Sequence, residues 1–138
     1  MVRYSETHLV KKLGIKEDAQ IFISGAPENY FEILSPLPQG AKILPRITSD
    51  IDMIHIFSIN KTHLLKELLT SLHSIKQNGM IWVSWPKKSA KVPTDLSEDI
   101  VSEIALPLGL VDIKVCTIDD IWSGLKLVIR KENRKLWV

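Results

Sequence analysis

The chain has 138 residues, 45% of them hydrophobic and 25% charged, which fits one globular domain with a real core. A net charge of +2 is too small for a nucleic-acid footprint. One cysteine, Cys116, excludes an internal disulfide and a cysteine-rich metal site. No apolar stretch approaches the ~20 residues of a membrane span, and Met-Val-Arg-Tyr-Ser-Glu at the start lacks a signal-peptide run. A reduced, cytoplasmic setting is expected.

Helix and strand signals alternate along the chain. Ser5 is placed to cap a helix through Leu9, Val10 and Leu13, which Gly14 stops. Residues 19–24 read as a strand, and Pro27 suits the first turn of a short helix over 28–34. Ser35-Pro-Leu-Pro-Gln-Gly40 breaks it, and 41–46 reads as a brief edge strand. Residues 51–57 form a near-continuous apolar run, the pattern of a strand covered on both faces. Leu64, Leu65, Leu68, Leu69, Leu72 and Ile75 then fall on one helical face, with Asn78-Gly79 as the expected stop.

Met80 to Trp85 is the next buried strand. A helical face through Ile100, Val101, Ile104, Ala105 and Leu108 ends at Gly109, its last turn tightened by Pro107. Leu110 to Cys116 alternates as a strand near a sheet edge, and 125–130 is the last strand. Their connection is too short for a crossover, so this final pair is antiparallel. The expected architecture is a single α/β domain over 1–138, with a mostly parallel sheet of five or six strands, helices on both faces and a closing hairpin.

That topology resembles the class I methyltransferase fold, a three-layer Rossmann-like arrangement. Its local echoes are Ile51-Asp-Met-Ile-His-Ile-Phe57, the leucine-rich helix, and Ile75-Lys-Gln-Asn-Gly-Met-Ile-Trp-Val83. More closely, the chain resembles a family of small bacterial proteins of unknown function. Ser84-Trp-Pro-Lys-Lys-Ser89, Val92-Pro-Thr-Asp-Leu96 and Trp122-Ser-Gly-Leu-Lys-Leu127 carry that likeness.

The methyltransferase resemblance implies a glycine-rich turn after the first strand and an acid after the second, to hold S-adenosylmethionine. Here the turn is Ser24-Gly-Ala-Pro27, with one glycine and a proline that donates no N–H. After 42–44 comes Pro45-Arg-Ile-Thr-Ser-Asp50, which leads almost at once into the next strand. A full second βαβ unit does not fit there. If the cofactor is held, the residues that remain for it are Gly25, Asp50, Ser84 and Trp85.

The other candidate site is the loop between Trp85 and the 98–108 helix, because ligands of open α/β sheets sit beyond the strands' carboxyl ends. Lys87, Lys88 and Lys91 supply positive charge, and Thr94 and Asp95 stand near the helix start. Trp122 is expected on the same side, walling an aromatic pocket with Trp85. Polar loop chemistry and helix capping explain the same residues without a ligand. Lys126 faces away from Leu125 and Leu127 and is expected to reach solvent, and His55 reads as a satisfied core histidine. No metal-ligand spacing and no nucleophilic triad is legible.

Two functions stay open. One is a pared-down, non-enzymatic methyltransferase-like module that binds a small anionic ligand or a protein partner at the strand ends. The other is an atypical S-adenosylmethionine-dependent methyltransferase. An apolar tail, Leu136-Trp-Val138, would dock on its own domain or in a homodimer.

Overall fold

The computed structural model describes residues 8–131. Ser5, the basic run past Lys131 and the Leu136–Val138 tail lie outside them. Four helices, α1 (Leu9–Leu13), α2 (Tyr30–Leu34), α3 (Lys61–Leu72) and α4 (Glu98–Ala105), pack on six strands. The strands are β1 (Gln20–Ser24), β2 (Lys42–Ile43), β3 (Ile51–Phe57), β4 (Ile75–Pro86), β5 (Leu110–Thr117) and β6 (Trp122–Ile129). They form one sheet in the order β2-β1-β3-β4-β6-β5. The first four are parallel, while β6 runs antiparallel to both β4 and β5.

Alternation along the central strands divides the core in two. Ile54, Ile56, Ile81, Val83, Trp85, Leu125 and Leu127 meet α3 and α4 through Leu64, Leu68, Val101 and Ala105. Met53, Phe57 and Trp82 face the other way, against Leu9, Leu13, Tyr30 and Leu34 of α1 and α2. This is the expected three-layer α/β fold. Trp82 and Trp85, three residues apart, therefore lie on opposite faces. No helix among the described residues is long and apolar enough to cross a membrane.

One element differs from expectation. The leucine helix ends at Leu72, and Asn78-Gly79 lies inside β4 instead of capping the helix. The ladder jumps from Ile51↔Ile75 to Met53↔Met80, a bulge in β4. Gly79 sits where the chains approach closely: a Cβ there would come 2.8 Å from Ile75 Cγ1 and 3.0 Å from Asp52 O. The glycine thus serves strand packing. Leu65 and Leu69 are exposed, so the buried face is narrower than the leucines suggest.

The link after β2 is as short as anticipated. Residues 44–50 carry the chain to β3 on the far side of β1, without a helix.

Candidate functional site

Because β1, β3 and β4 are parallel, their carboxyl ends (Ser24, Phe57 and Pro86) share one edge of the sheet. Two clefts open along it. The first holds about 330 Å³ and is lined by Gly25, Phe57, Ser58, Ile59, Asn60, His63 and Trp122. The second holds about 410 Å³ beside Trp85, with Lys87, Lys88, Lys91, Thr94 and Ser97 in its wall.

The first cleft has the denser polar chemistry. Asn60 caps α3, accepting from the His63 N–H at 2.7 Å, and so places His63 in the first turn. The His63 ring meets the buried Ser58 hydroxyl, Nδ1 to Oγ 2.7 Å. Its Nε2 faces Glu67 Oε2 at 4.0 Å, one helical turn on. Glu67 Oε1 in turn accepts from the Ser24 hydroxyl at 2.7 Å. Ser58, His63, Glu67 and Ser24 thus form one polar chain between β1, β3 and α3. Sequence reasoning missed it, because its members come from two strand ends and a helix. The i,i+4 pair His63/Glu67 behind a capping Asn60 was the one signal available.

Gly25 closes the first cleft with φ +75°. A Cβ there would meet the Phe57 carbonyl oxygen at 2.9 Å, so contact between strand ends by itself requires a glycine. Gly25→Ala should cost about 1–2 kcal/mol for the left-handed backbone alone. A thermal melt should show this as a fall of several degrees, and an unchanged Tm would disprove it.

Beneath this cleft His55 is fully buried. The Tyr30 hydroxyl lies 2.7 Å from Nδ1, and Ser84 Oγ lies 2.7 Å from Nε2. The ring also stacks on Phe57 at 4.2 Å. Desolvation lowers the imidazole to about 3, and burial raises the Tyr30 phenol above its ordinary range. Both groups are held neutral. His55 is the satisfied core histidine that its apolar strand suggested.

In the second cleft the Lys87, Lys88 and Lys91 side chains have no ion-pair partner among the described residues. Thr94 Oγ1 donates to Ile59 O at 2.6 Å, and Asp95 Oδ1 accepts the Lys61 N–H at 2.9 Å. These two side chains pin the loop to the start of α3. Ser97 caps α4, accepting from Ile100 N at 3.3 Å.

The structure separates several residues that the sequence grouped. Asp50 precedes β3 and so lies at the amino edge, across the sheet from Gly25, because β1 and β3 are parallel. It cannot join Gly25 in one cofactor pocket. Ser84 and Trp85 are buried, Ser84 bonded to His55 and Trp85 packed in the α3/α4 core. Trp122 stacks edge-on against Phe57 at 5.1 Å in the first cleft, whereas Trp85 borders the second. The two tryptophans do not wall a common pocket. Among the described residues, no group of three or more His, Cys, Asp or Glu is arranged to hold a metal.

No protein-family model matches the chain, and no curated protein does. Solved structures do match its fold. An S-adenosylmethionine-dependent methyltransferase from Aquifex aeolicus superposes with a TM-score of 0.65 at 15% identity, covering 88% of each chain. DhpI, solved as its S-adenosylhomocysteine complex, gives 0.63 at 8% identity, covering 90% of this chain and 83% of its own. Fibrillarin from Aeropyrum pernix, with natively bound S-adenosylmethionine, gives 0.60 at 13% identity, covering 87% and 73%. The chain therefore has a class I methyltransferase-like fold.

Among the described residues, the carboxyl edge departs at three places from the cofactor pattern that the methyltransferase resemblance implies. Leu44-Pro45-Arg46 follows β2, where an acid would accept ribose hydroxyls. The turn after β1 has a single glycine, already committed to Phe57. Ser84 and Trp85 are spent in the core.

Proposed function

We propose that this chain is a ligand-binding module on the methyltransferase fold and does not transfer methyl groups. The observation that carries this reading is the edge beyond β2. The chain runs straight from β2 to β3 through residues 44–50, and a cationic Arg46 stands close to where a carboxylate is needed. Positive charge at Lys87, Lys88 and Lys91, around a cleft of about 410 Å³, supports a small anionic ligand there. A protein partner is the other class this edge serves, since Val92 and Ile121 are exposed beside the same loop.

Calorimetric titration with S-adenosylhomocysteine tests the first half. No saturable heat and an unchanged Tm are expected. Saturable micromolar binding would overturn the reading in favour of an atypical methyltransferase, which the polar chain around His63 at the Gly25 cleft supports. The ligand site is tested with Lys87→Ala/Lys88→Ala. Inorganic phosphate should shift amides of the 87–97 loop in wild type and not in the double variant. Equal shifts in both would remove the lysines from the site.

A further inference from the structure

A larger cleft, of about 480 Å³, opens at the amino edge of the sheet, far from the strand ends that methyltransferase folds use. Lys16, Lys76 and Lys126 line it, together with Glu17, Asp18 and Asp52. Most of these charges are accounted for. Lys76 Nζ lies 2.9 Å from Asp52 Oδ1, while Asp52 Oδ2 accepts the Gln20 N–H at 2.8 Å. Glu17 and Asp18 are exposed rim residues.

Lys126 is different. It sits mid-strand between the buried Leu125 and Leu127, is itself half-buried, and makes no ion pair with a carboxylate of the described residues. Its partner across the β6–β4 ladder is Trp82, and its partner across the β6–β5 ladder is Lys114. Like charges directly opposite one another destabilise a sheet. Lys114 is held in place by a 3.0 Å bond to the Lys12 carbonyl. Gly14, the left-handed cap of α1, borders the ammonium, and a Cβ there would lie at an ordinary contact distance of 3.5 Å from Lys126 Nζ. Desolvation, then Lys114 and Lys16, pulls the Lys126 ammonium below its ordinary range.

A half-buried cation set against a second cation raises the energy of the site, and a bound anion would lower it. We propose that the amino-edge cleft binds a small phosphate-bearing ligand, with Lys126 as its anchor and Lys16 and Lys114 supplying the surrounding positive field. Lysines serve phosphates as point charges, and a dianionic group answers several of them where a single carboxylate answers one. Glu17, Asp18 and Asp52 on the same walls disfavour a long polyanion. The ligand is a small molecule with one phosphate group or two.

The test is a site-resolved NMR titration of the full chain with inorganic pyrophosphate at constant ionic strength. Saturable shifts are expected at the amides of Gly14, Lys16, Gly79 and Lys126. Lys126→Met should weaken binding by at least tenfold, about 1.4 kcal/mol. It should also melt at or above the wild-type temperature, because it removes a like-charge pair, and Lys126→Arg should keep the binding. Absence of saturable shifts at these amides, or wild-type affinity in Lys126→Met, overturns the proposal. Loss of binding in Lys126→Arg along with Lys126→Met overturns the charge argument. Shifts confined to the 87–97 loop also count against this cleft, and they leave the carboxyl-edge site standing.

Discussion

Truncating Trp82 to alanine is expected to cost about 3–5 kcal/mol, the range for removing a large aromatic from a packed core. Trp82 is fully buried and packs beneath α1 and α2 in the core of that face. Its indole Nε1 donates to Leu13 O at 3.0 Å, at the end of α1, where helix carbonyls otherwise lack partners. The variant loses ring packing and leaves the Leu13 carbonyl without its donor. Trp82→Phe separates the two effects, since it keeps most of the ring and loses the bond, for about 1 kcal/mol plus a small packing term. Urea unfolding midpoints measure both. If the alanine variant were no less stable than the phenylalanine variant, Trp82 would not anchor this face.

The second large effect is a pH dependence centred on His55. Its folded value of about 3 lies below the ordinary 6.5, because burial disfavours the imidazolium. The unfolded chain takes up a proton as pH falls through about 6.5, while the folded chain stays neutral until about 3. The stability His55 contributes is therefore fully present above pH 6.5 and drains away as pH falls. The slope approaches about 1.4 kcal/mol per pH unit for this one group. A His55→Asn variant cannot titrate there, so its stability should fall less steeply than wild type between about pH 6.5 and 5. Parallel slopes in the two proteins would place the acid sensitivity elsewhere. Tyr30→Phe probes the same network at neutral pH. It leaves a buried ring nitrogen without its partner and should cost about 1–3 kcal/mol.

Most of the fold was legible because apolar periodicity and chain punctuation agree with the tertiary structure. The unbroken run Ile51–Phe57 is a strand buried on both faces, and the short turn after Thr117 forces the antiparallel hairpin. Asn78-Gly79 misled because a glycine after an apolar helix reads as a cap, and local sequence does not reveal that β3 crowds it. The site was less legible for a different reason. Thr94 and Asp95 have the chemistry of ligand donors, yet the loop uses them to grip α3. Asp50 has the right charge at the wrong end of its strand. Ser58 and His63 matter through a contact across the Asn60 cap, which spacing alone does not announce. Lys126 read as a solvated strand lysine, and only the register across β5 reveals the like charge it faces.

The position of β6 also governs the order in which the sheet can be completed. β6 is the last strand among the described residues, yet it lies between β4 and β5. Until residues 122–129 have left the ribosome, β4 presents an unpaired edge from Ile81 to Pro86, all of it apolar apart from Ser84. An edge of that kind templates pairing with other chains. A chain truncated before Trp122 is therefore expected to aggregate more readily than one that includes β6, which light scattering of the two purified proteins measures.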